Sequence, residues 1–318
     1  MSKFKKWAFG FLLIFLFVEI WISFPIQLEK KSSTDKPKTD VKSISLNSSK
    51  RIEGVHFVES REGKQDWELF AEVAEERKGN EDWELSKVKI LFYSDEGLEF
   101  TVVGDSAQIG GAIRNISVNG NVFVKTANNT KLTMNSLEYI AEGRKLQSKT
   151  RIQLEGPTDK GQPPFKLVGG KMNCPIDQGG IFISGGVDAK RRLPNGKDIK
   201  ILSEKVELGT KQKKVQFLEK VQVSVDTIQL ESPSATFMYK DDKELLQSIL
   251  VNGGVRLSDV DKFATAEEIK LDPMLNQYIL SGKPRVVQGG DEVIGERIIF
   301  IDGGKKVKVE NMKIRMEQ

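Results

Sequence analysis

"LSGKPRVVQGGDEVIGERIIF", residues 280–300, places a glycine before an alternating apolar run, then Gly289-Gly290-Asp291, then Gly295 and a second alternating run. An earlier stretch, "LVNGGVRLSDVDKFATAEEIKL" at 250–271, runs in the same order. The first phrase recurs around Val88 ("LSKVKI"), Val122 ("VNGNVFV"), Ile152 ("SKTRIQL"), Val187 ("ISGGVDA"), Val221 ("LEKVQV"), Val255 and Val286. The second phrase is a small residue followed by spaced apolar ones. It begins at Ala71, Gly104, Met134, Gly169, Ser203, Ser232, Ala266 and Gly295, and Met134 is the one copy without a small leader. Two phrases that keep one period of about 30 to 35 residues mark a repeat architecture rather than a binding motif that happens to occur twice.

Each unit reads as two strands and a turn. Val118-Asn119-Gly120-Asn121-Val122-Phe123-Val124 alternates with period two, as a half-buried strand does. Polar clusters at 126–130, 160–164, 193–198, 240–244 and 302–306 have turn composition. Gly120, Gly185, Gly253 and Gly282 fall inside strands of about ten residues, where an isolated glycine marks a bulge or bend. Bends at one level in every strand fold the meander into two facing sheets with an apolar interior. The expected fold is all-β, an antiparallel, open-ended β-jellyroll built from repeats, preceded by one N-terminal transmembrane helix.

Twenty residues from Trp7 to Ile26 are almost wholly apolar. As a helix they span about 30 Å, the hydrocarbon thickness of a bilayer. Lys3, Lys5 and Lys6 precede them and keep the N-terminus cytoplasmic. The run is long for a cleaved signal peptide, and its exit, Ile22-Ser23-Phe24-Pro25-Ile26, offers no small-x-small site, so an uncleaved anchor is favoured. Glu19 inside the run either snorkels to the interface or faces a membrane partner. The expected division is a cytoplasmic tip at 1–6, the anchor at 7–26, a polar, Ser/Thr-rich tether at 27–50, and two β regions at 51–190 and 191–318.

The 318 residues carry 38% hydrophobic and 30% charged side chains, with a net charge of +4. The basic residues are interspersed with acids, which argues against nucleic acid as a partner. A single cysteine, Cys174, allows no internal disulfide, and with His56 as the lone histidine there is no ordinary zinc cluster. Gly169-Gly170 and Gly289-Gly290 lack the Gly-Lys-Ser/Thr spacing of a phosphate loop. No nucleophile constellation accompanies His56, and Glu138, Glu204, Glu267 and Glu268 fall at the outward, variable positions of the repeat. The reading is a non-enzyme without cofactor or metal. Its meander leaves two unpaired sheet edges that recruit further strands, and its interior offers an apolar groove.

"IEGVHFVESREGKQDWELFAEVAEE", residues 52–76, resembles the start of the periplasmic domain of the LptC family, the membrane-anchored component of lipopolysaccharide export. The likeness rests on Gly63, Trp67, Leu69, Ala71 and Ala74, and on "VKILFYSDEGLEFTVVGDSAQI" and "SVNGNVFVKTANNTKLTMNSLEY" after them. The C-terminal stretch containing 280–300 looks instead like LptA, or OstA-like, the soluble bridge protein of the same fold. This chain departs from a typical LptC in carrying several additional repeat units.

The resemblance implies the inner membrane of a Gram-negative bacterium, with the β domain in the periplasm, and an anchor beside the membrane subunits of an ABC transporter. It implies lipopolysaccharide acyl chains inside the jellyroll, for which the alternating residues Leu69, Ile90, Phe92, Phe100, Val102, Val122, Val124 and Leu132 are the candidates. The N-terminal edge, Gly54, Val55, His56, Phe57 and Val58, would meet the transporter. The C-terminal edge, Val307, Val309, Met312, Ile314 and Met316, would meet an LptA-like bridge protein, edge to edge. Two rivals stand beside this reading: a membrane-anchored scaffolding β-repeat protein without lipid cargo, and a polysaccharide-acting enzyme with clustered carboxylates on one outer face.

Overall fold

A computed structural model describes residues 50–315, apart from 77–81, 111–113, 158–163, 193–195, 210–212, 241–245, 303–304 and 312; of 313–315 it describes the backbone. The expected anchor at 7–26, with Glu19, the tether up to residue 49, Met312 and Met316 lie outside the described residues. Among those described, no helix is long and apolar enough to cross a membrane.

Every regular element described is a strand. The first six are β1 (Arg51–Arg61), β2 (Lys64–Glu76), β3 (Trp83–Ser94), β4 (Gly97–Ile109), β5 (Ile116–Thr126) and β6 (Lys131–Ile140). Two layers divided into short strands follow: β7 (Lys145–Ser148) and β8 (Ile152–Glu155), then β9 (Lys166–Gly169) and β10 (Lys171–Pro175). Long strands resume with β11 (Gly180–Arg192), β12 (Asp198–Gly209), β13 (Lys214–Val225), β14 (Ile228–Tyr239), β15 (Leu246–Ser258) and β16 (Lys262–Asp272). The last layers are again divided: β17 (Gln277–Ser281) and β18 (Arg285–Gln288), β19 (Asp291–Ile294) and β20 (Arg297–Ile301), β21 (Lys306–Glu310) and β22 (Lys313–Arg315). Each layer pairs antiparallel with the next, from β1–β2 through β11–β12 to β20–β21 and β19–β22, without a break in the middle.

The bends sit where the first repeated phrase placed them. Pairing register shifts between Asn119 and Val122, Ser184 and Val187, Leu218 and Val221, and Asn252 and Val255. The two residues skipped each time have positive φ, as in Gly253 (93°) and Gly254 (88°). Glu219 (64°) and Lys220 (53°) adopt the same conformation without glycine. A non-glycine residue there is uncommon, because its Cβ crowds the backbone. The small leader of the second phrase lies inside the corner. A methyl group on Gly104 would fall 2.4 Å from Val118 Cγ1, and one on Gly169 would fall 2.1 Å from Ile183 Cγ2. Outside the corner run exposed ion pairs such as Lys205–Glu219 at 2.7 Å and Lys220–Glu204 at 3.0 Å, which add little stability.

One expected bend becomes a full interruption. At Gly282 and Lys283, both with positive φ, the layer divides into β17 and β18. Pro284 follows them and has no N–H to donate, so the ladder does not continue across the corner.

Contacts between opposite strand ends show that the sheet doubles over. β2, β4 and β6 run in one direction, so Asp66 near the start of β2 and Tyr139 at the end of β6 belong to opposite margins. Ten extended residues span about 33 Å. Yet the Tyr139 hydroxyl donates to Asp66 Oδ2 at 3.1 Å, and the Tyr139 ring lies 4.8 Å from that of Phe92 at the far end of β3. The bend is thus the spine of a trough, and the two rows of hairpin turns are its lips.

Candidate functional site

The trough interior is one apolar cluster running from Val55 to Ile298. All eight residues read from the sequence as interior lie in it: Leu69, Ile90, Phe92, Phe100, Val102, Val122, Val124 and Leu132 are buried. Burying each side chain contributes about 1.5–3 kcal/mol. Cys174 is also a core residue; burial, with Glu99 nearby, pushes its thiol well above the usual range.

Burial is uneven along the trough. From β2 to β11 most inward residues toward the lips are as buried as those at the spine, among them Phe92, Phe100, Leu154, Cys174 and Ile181, while Trp83 and Ile109 are partly buried. From β12 onward the positions beside the spine stay buried, such as Ile201, Val206, Phe217, Val221, Val251 and Val255, but nearer the lips only some do, among them Leu230, Phe237 and Ala264. Other neighbours toward the lips, including Ile199, Leu208, Val215, Val223, Ile249, Leu257 and Leu271, are only partly buried while still packed on the cluster. The trough is closed over its N-terminal layers and more loosely covered over its C-terminal ones.

A polar cluster joins the lips where the trough is closed. Arg144 sits in the turn after β6 with φ of 44°. Its Nε and Nη2 each lie 2.8 Å from Asp66 Oδ1, and Nη2 also donates to the Tyr93 carbonyl at 2.6 Å. Nη1 pairs with Asp177 in the turn after β10, and the Arg144 carbonyl accepts from the Ile176 N–H at 2.9 Å. Asp66, 7% exposed, thus spends its acceptors on Arg144 and Tyr139. Burial and then the adjoining carboxylate push the Tyr139 hydroxyl above the usual phenol range. Burial works against the charge of Arg144, but Asp66 and Asp177 outweigh it and raise its pKa. Arg114, in the turn after β4, makes a second lip-to-lip pair with Glu59 of β1. The sequence reading missed this cluster. The one signal for it was Tyr139, a polar-tipped residue at an inward position of the β6 alternation.

Both edges of the sheet carry candidate residues. β1 pairs with β2, and among the described residues no strand covers its other side. There Gly54 takes positive φ, Val55 is buried, Phe57 packs on the core and Val58 is 53% exposed. His56 stacks on Phe70 and lies 3.2 Å from Glu68 Oε2. At the other end Val309 packs on the core, Val307 is 53% exposed, and Ile314 lies in β22 opposite Val293.

Residues 12–162 match a family described as lipopolysaccharide-assembly, LptC-related, and residues 200–302 match the family of the LptA/(LptD N-terminal domain) lipopolysaccharide transport protein. No curated protein matches the chain. Among solved structures it is similar to LptH of Pseudomonas aeruginosa, the LptA-homologous periplasmic component of the lipopolysaccharide transport device. The identity is 16%, over 38% of this chain and 95% of that one, with a TM-score of 0.34.

Proposed function

We propose, from the premise that this chain is an LptC-family protein with a C-terminal LptA-like extension, that it is a non-enzymatic carrier of lipopolysaccharide. The carrying observation is the apolar interior, which continues without interruption through both family segments. The jellyroll trough holds the acyl chains while the charged saccharide stays in water, because only the chains gain by leaving it. Leu69, Ile90, Phe92, Phe100, Val102, Val122, Val124 and Leu132 line the first half of that path, and the lip-side residues of β12 to β16 line the second.

Residues 7–26 anchor the chain in the inner membrane, with 27–50 as tether and the β regions at 51–190 and 191–318 in the periplasm. The LptC-related match begins inside the apolar run, which supports an anchor retained in the mature protein. Glu19 contacts the membrane subunits of an ABC transporter that supplies the lipid. The free edge at Gly54 to Val58 adds to a strand of that transporter, and the edge at Val307 to Met316 adds to an LptA-like bridge protein. Pull-down of the intact anchored chain from a Gram-negative host tests this reading: transporter subunits and lipopolysaccharide are expected to co-purify. Recovery of the folded chain with neither would favour the scaffolding alternative.

A further inference from the structure

The two halves of the trough differ in how they are shut, and the difference coincides with one side-chain cluster. Over β2 to β11 the lips meet, and Asp66, Tyr139, Arg144 and Asp177 lie across the junction. From β12 onward several lip-side apolar residues, Val215, Val223 and Leu257 among them, are partly open to water. A permanent seal would be made better by packed hydrophobic residues, since buried ion pairs recover little beyond their desolvation cost. Charged groups instead make a seam whose halves rehydrate once parted. Asp177, 52% exposed, already stands at the water side of this one.

We propose that the Asp66–Arg144–Asp177 cluster is a lateral latch. Closed, it keeps acyl chains out of the N-terminal layers; open, it admits them sideways between the lips. The C-terminal layers need no such step and hold acyl chains in the resting protein. This rests on the lipid-carrier reading above and adds where along the trough the lipid waits and what controls its entry. Arg144 is suited to the role because one guanidinium ties β2, the end of β3 and the turn after β10 together. Its planar fork satisfies several acceptors at once, with Asp177 holding it on its own lip, so losing it frees β2 and the end of β3 from the opposite lip.

The test places a photocrosslinking phenylalanine analogue in the full-length anchored chain, in cells making lipopolysaccharide. It stands at Phe92 or Phe100 in the closed half, and at Leu257 or Phe300 in the open half. In the unaltered protein, capture is expected at Leu257 and Phe300 and to be at least fivefold weaker at Phe92 and Phe100. Arg144→Gln should raise capture at Phe92 and Phe100 severalfold while leaving the other two within twofold. Asp177→Asn, at a half-exposed position, should act in the same direction and serves if Arg144→Gln fails to fold. Equal capture at all four sites, unchanged by either variant, would overturn the latch and leave the lipid reading standing. Capture at none of the four would overturn both.

Discussion

Replacing Arg144 with methionine removes a charge at the junction of three elements. The Arg144 side chain is 15% exposed and that of Asp66 is 8% exposed. Without the guanidinium, the Asp66 carboxylate keeps only the Tyr139 hydroxyl among its two partners here, in a site that admits little water. Removing one member of a buried pair costs about 3–5 kcal/mol, and the partial exposure of Arg144 places the expected cost near the lower end, about 3 kcal/mol. Asp66→Asn alone should cost about 1–2 kcal/mol, because Arg144 retains Asp177 and the Tyr93 carbonyl. The double variant should be more stable than Arg144→Met alone, because no uncompensated charge is left, giving a coupling energy larger than the Asp66→Asn cost of about 1–2 kcal/mol. Urea unfolding followed by tryptophan fluorescence measures all three, since Trp67 is buried beside Asp66. An Arg144→Met cost below about 0.5 kcal/mol, or additive single costs, would refute a latch that holds the lips together.

Four further outcomes are expected. Gly169→Ala sets a methyl group 2.1 Å from Ile183 Cγ2 and should cost about 1–3 kcal/mol by thermal melting. Gly110→Ala, whose methyl group would come no closer than 3.7 Å to Asp82 Oδ1, should change stability by less than about 0.5 kcal/mol. The Thr227 hydroxyl, at 2.6 Å, and then the Val260 N–H hold Asp259 below its ordinary pKa of 3.8. This depressed carboxyl adds stability above pH 3.8 that is lost as pH falls through its folded value, and Thr227→Val should move its NMR titration up toward 3.8. Cys174 should resist a thiol reagent in the native protein and react on unfolding; fast native labelling would show that the closed half opens spontaneously.

Much of the fold was legible because its constraint repeats. The two-residue left-handed bend recurs in alternate long strands, so Gly120, Gly185 and Gly253 mark its level, and most corners set a small residue opposite, such as Gly104, Gly169 and Ser203. Strand alternation places Phe92 and Val122 inside for the same reason. What stayed illegible depends on closure in three dimensions. Glu219 and Lys220 bend without glycine, so nothing in their identity announces the corner. Asp66 and Arg144 lie 78 residues apart and meet because two lips of one folded sheet converge, which no local pattern encodes. The sequence likewise treats the interior as uniform, and only the assembled trough separates its closed layers from its more loosely covered ones.

The central claim is that inward residues of the trough touch lipid acyl chains and outward ones do not. It is tested most directly by photocrosslinkers at Val223, inward and partly buried, and at Gln222, its outward neighbour on β13, in the full-length chain. Lipopolysaccharide captured from Val223 and absent from Gln222 is the expected result. Capture from Gln222 alone, or from neither position in cells exporting lipopolysaccharide, would contradict it.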